Sequence, residues 1–230
     1  MQMTETRRWR FKGPEMEGPV ARWYARVRGT DSQLDLCRLQ ARQLTEGLAE
    51  GARVLEVAPG PGYLAIEIAR LGKFQLTGLD ISRSFVQIAS DNARQAGLKV
   101  DFRRGDVAAM PFEAGTFDLV VCQAAFKNFT QPHTALAEMH RVLRPGGTAV
   151  IQDMSHDATH QDIADEVRDM GLGRFASFTT RATLEMLKRR AYSPGRFASL
   201  AAISPFRTAA ITTAGIGLEV RLEKKQEAVA

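Results

Sequence analysis

The residues best placed to do chemistry lie in one stretch and at two positions beyond it. The stretch is Val54-Leu55-Glu56-Val57-Ala58-Pro59-Gly60-Pro61-Gly62-Tyr63-Leu64-Ala65-Ile66, and the two positions are Asp80 and Asp106. An apolar strand that runs into a glycine turn and then a helix is a ligand cradle. Gly60 and Gly62 carry no Cβ, so the backbone there can approach a bound group closely. Glu56 precedes the turn. Asp80 closes Thr77-Gly78-Leu79-Asp80, where a carboxylate can accept hydrogen bonds from both hydroxyls of a ribose. Asp106, in Arg104-Gly105-Asp106-Val107, can reach an adenine amino group. Each acid alone could be a helix cap or a surface charge. Three of them at successive strand ends describe one rim.

A second set of residues could serve a reacting partner. His156 and His160 follow the fifth strand, on the rim where an acceptor should lie, and are the candidate general bases. Asp153 could orient either. His133 follows the fourth strand, and His140 sits inside a helix in a structural setting. The exit of the fourth strand reads Gln123-Ala124-Ala125-Phe126-Lys127-Asn128-Phe129. Phe126 and Lys127 there are candidate substrate contacts, with structural anchoring as the competing role for Lys127 and Asn128. Tyr24, beside Trp23, is a further candidate contact on an N-terminal lid. Phe175, Phe178, Met186 and Tyr192 form either a second lid or core. A lid of this kind suits a flat or apolar small molecule. No metal is expected, because Asp153 has no adjacent carboxylate to share a cation.

Those residues need a scaffold, and the hydropathy pattern supplies one. Residues 1–19, with Gly13-Pro14 and Gly18-Pro19, read as a loose arm, and helical spacing follows from Val20 to Glu50. Strands are predicted at Arg53–Val57, Gln75–Leu79, Lys99–Arg103, Phe117–Cys122 and Thr148–Met154. Helices are predicted between them at Tyr63–Leu71, Ser84–Ala96 and Thr134–Leu143, the last ended by Arg144-Pro145-Gly146-Gly147. This alternation predicts an α/β fold, a doubly wound and mostly parallel sheet with helices on both faces. Gln161–Met170 and Thr183–Arg190 read as helices, and Ser193-Pro194 as the cap and first turn of another through Ala202. Ala209–Thr213 and Leu218–Leu222 flank Ala214-Gly215-Ile216-Gly217, a hairpin that would close the sheet antiparallel. The expected organisation is an arm and lid helices over residues 1–50 and one compact domain over 51–230.

Five ordered segments then carry a resemblance: V-L-E-V-A-P-G-P-G, L-T-G-L-D-I-S, R-G-D-V-A-A-M-P-F, F-D-L-V-V-C and E-M-H-R-V-L-R-P-G-G-T. Over roughly residues 50–155 the sequence resembles the class I S-adenosylmethionine-dependent methyltransferases, in particular their small-molecule, quinone-biosynthesis-like branch. The resemblance implies a Rossmann-like, seven-stranded methyltransferase fold. It implies S-adenosylmethionine as cofactor, S-adenosylhomocysteine as product, and a small-molecule acceptor methylated at O, N, C or S. It places Glu56, Gly60 and Gly62 around the methionine part, Asp80 on the ribose and Ile81 on the adenine plane, with Ala58 and Pro59 among the cofactor-binding residues. Asp106 and Val107 would frame the adenine, and Gln123 would close the fourth-strand side. One departure falls within the cofactor loop: Ala58 stands where the family usually has its first glycine. A methyl at that position is tolerated when φ is negative, so the backbone is expected to adjust.

Composition bounds the alternatives. The chain has 230 residues, 44% hydrophobic and 25% charged, enough for one sizeable core. No apolar run is long enough to span a membrane. The N-terminus has no secretory pattern, and two cysteines, Cys37 and Cys122, make no disulfide framework. Cytoplasm is therefore the expected compartment. The net charge of +5 is concentrated at the C-terminal end around Lys188-Arg189-Arg190, which a solvated helix face explains. Gly60-Pro61-Gly62-Tyr63-Leu64-Ala65 with Asp80 also satisfies a dinucleotide fingerprint, so an NAD(P)-binding oxidoreductase is one alternative. A nucleic-acid methyltransferase is another. It is disfavoured because Cys122-Gln123-Ala124-Ala125 lacks the Asn/Asp-Pro-Pro-aromatic run used on exocyclic base nitrogens. A binding module that keeps the pocket without catalysis is a third. Monomer and homodimer both remain open.

Overall fold

The computed structural model describes residues 16–226, so most of the expected N-terminal arm lies outside the described residues. Two helices come first, α1 (Gly18–Arg28) and α2 (Asp31–Leu44). The single helical segment expected over Val20–Glu50 is thus broken in two, at Gly29 and Thr30. Gly29 ends the first helix, and Thr30 precedes the second with extended backbone. Met16–Gly18 are not loose. The N–H groups of Arg83 and Ser84 donate to the Glu17 carboxylate at 2.9 Å, and Gly18 N–H donates to Ser84 Oγ at 2.9 Å.

The expected alternation of strands and helices follows. It runs β1 (Arg53–Val57), α3 (Tyr63–Arg70), β2 (Gln75–Asp80), α4 (Arg83–Gln95), β3 (Asp101–Arg104), β4 (Phe117–Gln123), α5 (Pro132–Val142) and β5 (Leu143–Met154). The tail adds α6 (His160–Asp169), α7 (Arg174–Lys188), α8 (Pro194–Ile203), β6 (Ala210–Ala214) and β7 (Gly217–Glu223). The seven strands form one sheet in the order β3-β2-β1-β4-β5-β7-β6. The first five are parallel, and β7 runs antiparallel to both β5 and β6, as the tail hairpin predicted.

Burial follows from covering both faces. β4 is buried at all but its last position and reads as an unbroken apolar run, as a two-sided strand must. On one face Val54, Leu119, Val121 and Val150 pack under Ala41 and Leu44 of α2 and Leu64 and Ile68 of α3. On the other, Leu55, Val120, Ile151 and Val220 pack under Leu136 and Met139 of α5 and Phe197 and Leu200 of α8. Each fully buried side chain of this size contributes roughly 1.5–3 kcal/mol, so the strand directions are firmly set. All five parallel strands therefore end on the same side, and that rim carries the residues with chemistry.

Three helices start on side-chain caps, of which the sequence predicts Ser193. Ser82 Oγ accepts the Phe85 N–H at 3.0 Å and caps α4. Thr159 and Asp162 form a reciprocal capping box at the start of α6. Ser193 caps α8, with Pro194 in its first turn. β5 starts earlier than the predicted Thr148, at Leu143. The pairing with β4 is irregular between Leu143 and Thr148, where Arg144-Pro145-Gly146-Gly147 intervenes. α7 starts nine residues before the predicted Thr183. Among the described residues no helix is long and apolar enough to cross a membrane.

Candidate active site

The glycine turn sits at the end of β1, and its two glycines do different jobs. Gly62 has φ +80° and precedes the first turn of α3. A Cβ there would come within 2.7 Å of the Phe102 ring and 2.8 Å of Ala89, so Gly62 is required by packing rather than by ligand approach. Gly60 has φ +55°, and a Cβ there would meet only Tyr24 Cε1, at 3.9 Å. The open position of the turn is Gly60. Its N–H donates to Asp80 Oδ2 at 3.0 Å, which ties the turn to the end of β2. Asp80 Oδ1 accepts the Ser82 N–H at 2.8 Å. A carboxylate offers about four lone-pair directions, so a ribose diol can still be accepted beside these two donors.

Ala58 departs from the expectation. Its φ is +54°, left-handed, and not the negative value a methyl-bearing residue prefers. The backbone keeps the geometry of a glycine and carries the alanine in it. That costs about 1–2 kcal/mol. The Ala58 N–H donating to the Leu79 carbonyl at 2.8 Å holds this conformation from β2. Ala124, at the end of β4, is strained in the same way with φ +55°, and its N–H donates to the Gln152 carbonyl at 2.7 Å. Strained non-glycine backbone of this kind tends to gather at functional rims.

Two carboxylates on this rim are buried and, among the described residues, make no salt bridge. Glu56 is 3% exposed, and among the described residues its Oε2 has no hydrogen-bond partner. Burial, reinforced by the charge of Asp80, pushes its carboxyl up to about 8, although the Ala65 N–H works the other way. Burial pushes Asp80 up to about 6 against the Ser82 and Gly60 N–H donations. A buried acceptor left without a donor is costly, and a ligand ammonium or hydroxyl would relieve that cost.

The remaining predicted cofactor residues lie around the same rim. Pro59 is buried, with its ring against Gly78. Ile81 is half-buried at the mouth of β2. Asp106 Oδ1 accepts the Ala108 N–H at 2.9 Å, and Val107 packs on the edge of the main core. Gln123 donates to Gln152 Oε1 at 3.2 Å, and Gln152 to Glu219 Oε2 at 2.7 Å, a polar row running from β4 to β7.

Sequence reasoning missed the residues that hold the loop after β3. Glu138 accepts the Met110 N–H at 2.7 Å. Arg141, bonded to Glu138 at 2.6 Å, donates to the Met110 and Phe112 carbonyls at 3.0 and 2.7 Å. The motif E-M-H-R was legible, but its purpose is to fix the segment that follows Asp106. Glu17 was missed for lack of any local signal. Tyr24, on α1, lies against Gly60 and packs edge-on to Phe85 with ring centres 5.7 Å apart.

On the acceptor side the predicted residues separate. Lys127 is buried and its ammonium donates to Asp153 Oδ1 at 2.6 Å and to the Ala124 carbonyl at 2.7 Å. Asp153 Oδ2 accepts the Lys127 N–H at 3.0 Å, so Asp153 orients neither histidine. Phe126 is 1% exposed and packs among Phe129, Tyr192 and Phe197 with ring centres 5.0–5.6 Å apart. His156 is exposed, with Nδ1 3.1 Å from Asp157 Oδ1. His160 is more exposed still, and its Nδ1 is engaged by Glu185 of α7.

A strand–glycine turn–helix with carboxylates at the ends of β1, β2 and β3, on a sheet of this order, defines a class. Residues 54–147 match the family model described as a methyltransferase domain. Among curated proteins the chain is 36% identical over 116 residues to a demethylmenaquinone methyltransferase of Deinococcus radiodurans, covering 50% of this chain and 48% of that one. It is 37% identical over 108 residues to a 2-phytyl-1,4-naphtoquinone methyltransferase of Synechococcus elongatus, covering 45% and 46%. The chain thus spans about half the length of the curated relatives it matches. Among solved structures, a putative S-adenosyl-L-methionine-dependent methyltransferase from Methanococcus maripaludis aligns with a TM-score of 0.72 at 20% identity. That alignment covers 95% of this chain and 98% of the other, and it shows the fold.

Proposed function

We propose that this protein transfers a methyl group from S-adenosylmethionine to a small-molecule acceptor, and that the acceptor is a quinone-type ring in its reduced, hydroxylated form. The observation that carries the cofactor reading is the buried, partnerless Glu56 Oε2 beside an open Gly60 and a ribose-ready Asp80. The acceptor class is supported by the names of the relatives, which act on demethylmenaquinone and a phytylnaphthoquinone.

The residues present fit the cofactor. Glu56 would receive its α-ammonium group, the Gly60 face its methionine part, and Asp80 its ribose. Ile81, Asp106 and Val107 would frame the adenine, with Pro59 and Ala58 shaping the turn and Gln123 closing the β4 side. Bound there, the sulfonium supplies an electrophilic methyl group. This chain contributes placement, and aligning two bound reactants is worth roughly 7–11 kcal/mol.

A hydroxyl-bearing acceptor must also lose a proton. We assign that step to His156 over His160. A carboxylate at Nδ1, Asp157 for His156 and Glu185 for His160, leaves Nε2 of either ring to take a proton, and His156 is preferred because its side chain is 48% exposed against 78% for His160. Tyr24 is assigned to the shared wall between cofactor and acceptor. Phe126 and Lys127 shape that wall from behind, as ring packing and as an anchor.

The test has two arms. Calorimetry should show S-adenosylhomocysteine binding and no response to NADH or NADPH. Incubation with S-adenosylmethionine and a reduced, short-chain demethylmenaquinone should give a product heavier by one methylene unit. Heat with a nicotinamide nucleotide alone would overturn the cofactor assignment, and binding without product would overturn the acceptor assignment.

A further inference from the structure

Helix α7 is amphipathic the wrong way round. Its Leu184 and Leu187 pack inward on the small core of Met154, Ala158, Ile163 and Ala191, yet no residue of the helix is buried. Phe175, Phe178 and Met186 face the other way and are 82%, 73% and 54% exposed. Positions 175, 178, 182 and 186 recur at helical spacing, so with Ala182 they form one stripe on the outer face. Arg174 and Arg181 flank the stripe, and Arg189 and Arg190 continue it past the C-terminus of the helix. Glu185, the one acid of α7, is engaged by His160.

α1 repeats the arrangement. Val20, Trp23 and Val27 lie at i, i+3 and i+7, all exposed, with Trp23 at 61%. Arg22, Arg26 and Arg28 are its charged residues, and the helix contains no acid. Both helices are anchored at the carboxyl end of the sheet. α1 is tied to Ser84 just after β2, and the segment closing α7 pairs Tyr192 with Ser155 just after β5.

An outward apolar stripe containing Trp, Phe and Met beside arginines suits one kind of surface, an anionic lipid bilayer. Aromatic residues enter the headgroup boundary and guanidinium groups meet lipid phosphates. Bare charge attraction to a nucleic-acid backbone would not require the apolar stripe. We propose that the outer faces of α7 and α1 dock this protein on anionic membranes, lying on the surface without spanning it. The proposal concerns the surface alone and stands whatever the acceptor is.

Sedimentation of the full chain with phospholipid vesicles tests it without turnover. Vesicles with about 30% phosphatidylglycerol should retain the protein at least about tenfold better than pure phosphatidylcholine, with the difference shrinking as salt rises. Phe175→Ser combined with Phe178→Ser should release it from both. Arg174→Glu combined with Arg181→Glu should remove the preference for the anionic vesicles. An unchanged thermal shift with S-adenosylhomocysteine certifies that each variant is folded, and that shift also reads the cofactor assignment separately. Failure of the unaltered protein to sediment, or variants that sediment equally well, would overturn the proposal. So would a dimer in gel filtration that the Phe175→Ser, Phe178→Ser variant dissolves, since a second copy would then be the occupant.

Discussion

The two halves of the rim bury carboxylates in opposite ways. At the ends of β1 and β2, Glu56 and Asp80 are 3% and 5% exposed, and among the described residues neither makes a salt bridge. Burial raises both, to about 8 and about 6. At the end of β5, Asp153, whose side chain is 7% exposed, holds Lys127 in an ion pair and accepts two backbone N–H groups as well. The β4–β5 half is complete as folded. The β1–β2 half has acceptor capacity in reserve, which is the condition expected of a site that awaits a donor-bearing ligand. Burial alone therefore does not mark function, and the presence or absence of an internal partner separates the two halves.

The largest expected effect breaks the finished half. Lys127→Ala leaves Asp153 buried and uncompensated and should cost about 3–5 kcal/mol in chemical denaturation. Replacing both partners, Lys127→Met with Asp153→Leu, should recover most of that loss. If the single variant lost less than about 1 kcal/mol, the pair would not be the anchor described here.

The next effect sharpens the unfinished half. Glu56→Gln should weaken S-adenosylhomocysteine binding by about ten- to a hundredfold, as expected for losing a charge-assisted bond. It should also alter stability without ligand in a pH-dependent way. The folded Glu56 carboxyl titrates near 8 and the unfolded one near 4.5, so the folded state holds the extra proton between those values. Its contribution is fully present below about 4.5 and is lost as pH rises through about 8. Asp80 acts in the same direction between 3.8 and about 6. The Tm advantage of Glu56→Gln over the parent should therefore grow from pH 6 to pH 9. A flat difference would mean that the carboxyl is not raised. Because binding would draw Glu56 into its ionised form, the parent should release protons on binding near pH 7. Calorimetry in buffers of different ionisation enthalpy reads this directly.

Smaller effects test the turn and its cover. Ala58→Gly removes the left-handed strain but adds chain freedom to the unfolded state, so the net gain should be about 0.5–1 kcal/mol. Ala124→Gly, strained alike in the other half, should behave similarly and serves as the matched comparison. A loss at Ala58 with a gain at Ala124 would show that the Ala58 methyl is needed by packing. Glu17→Gln weakens the tie of α1 to the N-terminus of α4 and should cost about 0.5–1 kcal/mol, read as a lowered Tm.

Much of this was legible residue by residue. The strand–glycine turn–helix at 53–70 could be read because buried strands are continuous apolar runs and left-handed turns select glycine. Ser193-Pro194 announced α8 through cap chemistry alone. α7 was read only over its C-terminal part, because Leu184 and Leu187 face inward there. Its N-terminal half turns Phe175 and Phe178 to solvent, where apolar periodicity is a poor guide to burial. The division of Val20–Glu50 at Gly29 and Thr30 was missed because both flanking segments keep the same helical spacing.

By itself the sequence determined the alternation of strands and helices, the sheet they form and the set of acids along one rim. Each of these is written in local patterns of hydropathy, glycine and caps. Only the tertiary structure decided which acids have partners. Lys127 and Asp153 are 26 residues apart and meet because β4 and β5 are neighbours in the sheet, while among the described residues Glu56 Oε2 meets no hydrogen-bond partner. Desolvation depends on everything that surrounds a group, and no local window of sequence contains that.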